Sequence, residues 1–226
     1  MKSRRFSEKL NVTIIKNRGK TIYEILGKRI LDIIVSVIIL IATSPLMVLV
    51  AVAIRLDSKG PILFQQQRSG IDGKVFMLKK FRSMTANNNV YDASQKDEVT
   101  RIGKFIRRTS IDEIPQLVNV LNGEMSLIGP RPWLPEYFEN MNEIQRMRYS
   151  VRPGLTGLAQ ARGRNALGII EKINCDLEYV QKVSLVGDFK IVFLTLKTML
   201  DESSLDIGKF GIQEEIEFLK RQNRTY

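Results

Sequence analysis

Asp112 and Glu113 are adjacent carboxylates in the segment Ser110-Ile111-Asp112-Glu113-Ile114-Pro115, and the 226-residue chain that carries them has no histidine and a single cysteine, Cys175. Without histidine the commonest acid/base group and the commonest metal ligand are missing. Any catalysis must therefore rest on Asp, Glu, Lys, Arg, Ser, Thr or Tyr. Two neighbouring acids suit phosphate chemistry. An ionised carboxylate can attack an electrophilic phosphorus. A second one beside it can hold Mg2+, which bridges phosphoryl oxygens and offsets the repulsion between the acids. The same residues also have a purely structural account. Ser110 and Glu113 have the spacing of a capping box, and Asp112 would sit at the positive end of the helix dipole, where a carboxylate stays ionised. On local sequence alone both accounts remain open.

A phosphate approaches two carboxylates only where cations dominate the field. The chain supplies Lys79, Lys80 and Arg82, then Arg101, Lys104, Arg107 and Arg108, and beyond the acids Arg131, Arg152, Arg162 and Arg164. Several adjoin Gly or Pro. Arg131 lies between Pro130 and Pro132, whose rings restrict its backbone and can aim its planar fork at a phosphate. A solvated surface charge is the alternative for any one of these side chains; their recurrence beside rigid residues argues against it for all of them.

The elements that must position these groups begin with an apolar run, residues 30–54, bounded by Arg29 and Arg55. From Ile33 to Ile54 there are 22 residues without a charge. A straight helix of that length rises ~33 Å, enough for ~30 Å of hydrocarbon. A buried core helix and a signal peptide fit less well; the run is too long and too far from the start for the latter. Nine Lys or Arg precede it, and seven follow within residues 55–82. The positive-inside rule would keep both flanks on the cytoplasmic side, which a re-entrant helical hairpin allows and a single crossing does not. Ser44-Pro45 supplies a local reason to bend, with Ser44 able to bond a carbonyl that the proline frees. A kinked crossing helix satisfies the same residues. Asp32 belongs near an interface, with Lys28 and Arg29 offsetting its charge.

The remaining ~170 residues suffice for one ordinary domain. The net charge of +11 suits anionic headgroups or phosphorylated substrates. No zinc-finger or homeodomain spacing is present, so nucleic acid is not expected as a partner. A lone cysteine forms no internal disulfide and reads as a packing residue in a reducing compartment. Periodicity and breakers predict a short helix at Ile22 to Leu26, a turn over 57–61, two strands around Gly70-Ile71-Asp72-Gly73, a polar loop over 85–99 and a basic helix from Thr100 to Arg108. A helix through 114–121 ends at Asn122-Gly123. There follow a Pro-rich loop over 128–135, a polar helix over 136–148, a loop with a short strand over 151–165 and a helix over 167–182. Residues 185–200 read as either a core helix or one lying in a membrane surface. The last 26 residues are charged and expected at the periphery. The fold class is mixed α/β, mainly helical.

The segments KRILDII, GPILFQQQRSG, FMLKKFRSM, TRIGKFIRRTSIDEIPQLVNVLNGEMSLIGPRP and VRPGLTGLAQARGRNA, together with the Ser44-Pro45 pair, resemble the bacterial sugar transferase family, the small monotopic polyprenyl-phosphate phosphoglycosyltransferases. The resemblance runs from about Lys28 to Leu200. It implies transfer of a sugar 1-phosphate from a UDP-sugar to undecaprenyl phosphate with release of UMP, at the cytoplasmic face of a bacterial inner membrane. By the same resemblance Asp112 is the covalent nucleophile and Glu113 takes part in binding Mg2+. The family's Lys-Phe-Arg stretch falls on Lys80-Phe81-Arg82, its Pro-Arg-Pro loop on Pro130-Arg131-Pro132 and a later acidic position on Asp176. The candidate substrate contacts are thus Lys80, Arg82, Arg107, Arg131, Arg152 and Asp176. Ser44 and Pro45 take the break of a re-entrant hairpin that keeps both flanks in the cytoplasm. The implied layout is a basic arm (1–27), the membrane hairpin (28–56), a compact cytoplasmic domain with amphipathic surface helices (57–200) and a charged tail (201–226). Competing readings are the same transfer through a non-covalent ternary complex, and a non-catalytic basic scaffold on the bilayer. The sugar, the glycan pathway and any pairing into homodimers are not fixed by these residues.

Overall fold

The computed structural model describes residues 19–85, 99–163, 166–200 and 211–224. Most of the expected polar loop over 85–99, and Arg164, lie outside them. One π-helical turn, Tyr23–Gly27, runs directly into the long helix α1, Lys28–Asp57. With that turn included it is, among the described residues, the one helix long and apolar enough to cross a membrane. The helix continues through Pro45 rather than dividing there. Ser44 Oγ donates to the Ile41 carbonyl at 2.8 Å. That carbonyl is the one whose helical partner would be the N–H that Pro45 lacks, so the seryl hydroxyl replaces a bond the proline removes.

Both ends of α1 are docked on the same domain. At its start Arg29 donates to the carbonyls of Val120 and Leu121, and Asp32, 4 % exposed, accepts the Leu127 N–H at 3.0 Å. At its end Val50 and Ile54 pack with Phe81 and Ile106, and Asp57 accepts the Ile102 N–H. Between these anchors the side chains of Ile38, Ile41, Val48 and Leu49 are exposed. Asp32 therefore finds its partner in protein backbone.

Strands β1, Leu63–Ser69, and β2, Val75–Phe81, form the expected hairpin, with Leu63 opposite Phe81 and Ser69 opposite Val75. Alternation along β2 sends Phe76 and Leu78 onto Val120 and Met125, and Phe81 to the other side onto α1. Helix α2 spans Arg101–Arg108 and helix α3 Gln116–Leu121. The fully buried Asn119 joins α3 to the free edge of β2 as a strand would: its Oδ1 accepts the Lys79 N–H and its amide nitrogen donates to the Met77 carbonyl. Strand β3, Ser126–Ile128, pairs in parallel with β4, Gly154–Thr156. A Cβ on Gly154 would meet the Gly129 backbone nitrogen at 2.1 Å, so this pairing requires glycine.

The single polar helix expected over 136–148 is instead two short helices, α4, Pro135–Glu139, and α5, Glu143–Arg146. Asn142 and Gln145 form a reciprocal capping box that restarts the chain as a new helix. A further helix, α6, Leu158–Arg162, occupies part of the stretch expected as loop and strand. Helix α7, Ile169–Gln181, packs Ile173, Tyr179 and Val180 into the core. Helix α8, Leu185–Leu200, buries Ile191 but leaves Val186, Phe189, Phe193 and Leu196 exposed, which excludes a core helix. The last helix, α9, Ile212–Arg224, is not peripheral: Ile216 and Leu219 enter the cluster of Leu134, Tyr137 and Ile173.

Candidate active site

The dyad stands in a single 3-10 turn, Ile111–Glu113, between α2 and α3. Helix α2 is fixed first. The Thr100 hydroxyl accepts the Gly103 N–H, and Ile102 and Ile106 face inward. A Cβ on Gly103 would lie 1.9 Å from the Ser83 carbonyl oxygen, so only glycine lets the helix settle on the end of β2. That close approach brings Arg107 Nε to 2.7 Å from Ser83 Oγ. The chain then reverses at Ser110, a non-glycine residue with φ of 56°. This left-handed conformation costs an L-residue ~1–2 kcal/mol. The capping box expected from Ser110 and Glu113 does not form, because the next helix starts only after Pro115 and Ser110 makes no side-chain cap. Glu113 turns to Arg131 instead, with Oε1 2.8 Å from Arg131 Nη2.

Asp112 is 7 % exposed. Burial, reinforced by the neighbouring Glu113 charge, pushes its carboxyl up to about 6, against the pull of Lys80, Arg107 and Arg131. At the head of one turn the dipole is small and desolvation raises the acid, yet it remains mostly ionised at neutral pH. Lys80 shares a strand face with Phe76 and Leu78, which carries it to the start of α3. Burial pushes its ammonium down to about 8, with Asp112 and Glu113 opposing that shift. The ammonium also lies 5.4 Å from the Phe64 ring centroid.

Arg131 is aimed by its backbone. Pro130 and Pro132 have no N–H, and this loop is held by its carbonyls. Those of residues 130, 131, 132 and 133 accept from Gly154 N, Arg148 Nη2, Arg68 Nη1 and Ser69 N respectively. Donors from β1, β4 and the turn that carries Arg148 thus pin four consecutive residues, and the half-exposed Arg131 side chain projects from a rigid base.

Asp112, Glu113, Lys80, Arg107 and Arg131 therefore form one cluster. Three other nominated residues stand outside it. Arg82, 5 % exposed, donates to the carbonyls of Ser58 and Lys59 and ties the turn after α1 to the end of β2. Arg152 donates to the Gly123 carbonyl at the far end of α3 from the dyad. Asp176 is buried against Arg148, a residue that the sequence reading missed. The one signal for Arg148 was a charged side chain amid the apolar Met147 and Tyr149. Ser44 and Pro45 lie in α1, away from the cluster.

The oxygen donors match the demands of Mg2+, a hard cation that keeps several waters and needs only one or two carboxylates besides substrate phosphates. Among the described residues no group of three or more acidic, His or Cys side chains offers a fuller cage. In Asp112 the cluster has a carboxylate whose charge is incompletely compensated, which a divalent ion would relieve.

Comparison with known proteins shows the family. Residues 23–202 match the family model for the bacterial sugar transferases. An undecaprenyl-phosphate glucose phosphotransferase of Komagataeibacter xylinus is 44% identical over 204 residues, 83% of this chain and 38% of its own length. A UDP-glucose:undecaprenyl-phosphate glucose-1-phosphate transferase of Klebsiella pneumoniae is 45% identical over 181 residues, 75% of this chain and 39% of its own. One of the same name from Caulobacter vibrioides is 42% identical over 187 residues, 77% of this chain and 70% of its own. The chain spans about two fifths of the length of the first two relatives. Motifs and matched extent together place this chain in the bacterial sugar transferase family.

Proposed function

We propose that the protein transfers a sugar 1-phosphate from a UDP-sugar to undecaprenyl phosphate, through a covalent intermediate on Asp112. The observation that carries this reading is the buried Asp112 beside the partly exposed Glu113, ringed by Lys80, Arg107 and Arg131, on a domain with one exposed apolar helix. The names of the relatives support the substrates. An acid with a pKa of about 6 is mostly ionised at neutral pH yet more basic, and so more nucleophilic, than an ordinary carboxylate.

An Asp112 carboxylate oxygen attacks the phosphorus that bears the sugar. The bond from that phosphorus to the bridging oxygen breaks, and UMP leaves with the electron pair. A phosphate oxygen of undecaprenyl phosphate then attacks the same phosphorus and frees the carboxylate. The second nucleophile is already an anion, so no histidine base is needed. Lys80, Arg107 and Arg131 hold the phosphoryl charge, and Glu113 keeps Arg131 turned toward the dyad. Mg2+ held by Glu113 with Asp112 would neutralise charge on the diphosphate.

The bilayer is the proposed support. The two ends of α1 lie on one domain, as a re-entrant helix requires and a crossing helix does not. Asp188, in the first turn of α8, accepts from Lys28 and from the hydroxyls of Tyr23 and Tyr179. The exposed apolar face of α8 therefore starts at the foot of α1, where it can lie in the headgroup plane. The proposed location is the cytoplasmic face of the inner membrane.

Intact-mass spectrometry of protein incubated with a UDP-sugar panel and magnesium, without acceptor, tests the chemistry. A phospho-sugar adduct with equimolar UMP is expected, and none with Asp112→Asn. Full turnover without an adduct would leave the ternary-complex reading. Cysteines at positions 20 and 59, in a background lacking Cys175, should both react with an impermeant thiol reagent added from the cytoplasmic side.

A further inference from the structure

Arg148 has the largest of the fully buried side chains, and nothing in the reaction proposed above uses it. Its Nε and Nη2 donate to Asp176 Oδ2 at 2.9 and 2.6 Å. The same Nη2 donates to the Arg131 carbonyl at 2.7 Å. Its guanidinium carbon lies 3.9 Å from the Trp133 ring centroid and 4.7 Å from that of Tyr149. The side chains of Arg148 and Asp176 are 0 % and 2 % exposed. A buried ion pair is weak evidence for stability, because desolvation offsets its attraction and apolar residues of similar shape do as well. What apolar residues could not do is hold the carbonyl of a residue flanked by prolines. Cα of Arg131 is fixed from one side by the Pro130 carbonyl bond to Gly154 and from the other by the Arg148 fork.

We infer that Arg148, oriented by Asp176, is a positioning residue: it clamps the Arg131 backbone and so aims the Arg131 guanidinium at Glu113 and the reacting phosphates. Asp176 then acts two bonds removed from the chemistry, through Arg148, rather than on substrate. This inference rests on the function proposed above for the site.

Arg148→Lys keeps the charge and can still pair with Asp176, but a single ammonium lacks the fork that reaches the Arg131 carbonyl as well. Displacement of a positioned group by about 1 Å can cost ~100-fold. UMP release by R148K should fall by about that factor in kcat, with KM for the UDP-sugar within threefold, while R131A loses about 100- to 1,000-fold. The double variant R148K/R131A should be no slower than R131A alone, because the clamp has nothing left to aim. Losses that multiply, or R148K within twofold of the parent, would overturn the inference. Asp176→Glu, which pushes the fork outward by one carbon, carries the same expectations if R148K does not fold. A readout free of turnover is the 15N relaxation of Arg131 Nε in nanodiscs. Its order parameter should drop in R148K or D176E; an unchanged value sinks the clamp. If the parent protein releases no UMP, the proposed reaction fails, and the relaxation result still judges the clamp.

Discussion

Replacing Asp112 by Asn should stabilise the protein, by an amount that grows with pH. The acid is 7 % exposed, and burial with the adjacent Glu113 charge raises it from 3.8 to about 6. The folded state therefore holds a proton that the unfolded state has released throughout that interval. Stability then falls as pH rises from about 4 to about 6 and is level above it. At 1.36 kcal/mol per pH unit the charged carboxylate costs the parent about 2–3 kcal/mol at pH 7 relative to pH 4. Asn occupies the same space and does not titrate. For a chain of this length each kcal/mol moves the midpoint by about 2–4 °C, so D112N should melt about 5–10 °C above the parent at pH 7 and near it at pH 4. The assay is thermal unfolding in detergent with EDTA present, across that pH range. Opposing the effect, Asn leaves Lys80, Arg107 and Arg131 with one carboxylate fewer. If D112N is no more stable than the parent at pH 7, those cations outweigh desolvation, and the account of a strained, incompletely neutralised acid is wrong.

Asn119→Ala strands the Lys79 N–H and Met77 carbonyl on a buried strand edge, and chemical denaturation should show a loss of about 2–4 kcal/mol. Ser110→Ala should cost less than the ~1 kcal/mol of a true N-cap, since the Ser110 side chain caps no helix. Gly103→Ala drives a methyl into the Ser83 carbonyl. It should lower stability by about 1–3 kcal/mol and reduce UMP release, because Arg107 moves with the helix. Polar substitution of Phe189 and Phe193 on the exposed face of α8 should leave the unfolding midpoint unchanged and weaken binding to liposomes in co-sedimentation.

Local patterns carried much of the fold into the sequence. The apolar run of α1, the hairpin around Gly70–Gly73 and the basic helix after Thr100 all appear with nearly the expected bounds, because each depends on neighbours within a few residues. Elements failed where a local signal had a rival. Ser110-x-x-Glu113 looked like a cap, but Pro115 delays the helix and Arg131 claims the glutamate. Asn142 and Gln145, at the same spacing, do form a capping box. The charged C-terminal stretch hid Ile216 and Leu219 at helical spacing, and both are buried.

The sequence by itself supplied the candidates: paired acids, abundant cations, no histidine and a long apolar run, with a capping box as the rival account of the acids. It also singled out Arg131, since two prolines constrain a backbone wherever they are placed. Which cations meet the dyad was decided only by tertiary structure. Lys80 and Arg82 are two residues apart in the sequence, yet strand register carries one to Asp112 while carbonyls at the end of α1 capture the other. Arg148 and Asp176 meet across 28 residues, and their purpose is visible only where the fork reaches the Arg131 carbonyl. Charge and residue type are local properties of a chain. The partner that satisfies a buried guanidinium is set by how distant segments close around it, and that closure has no signature in spacing.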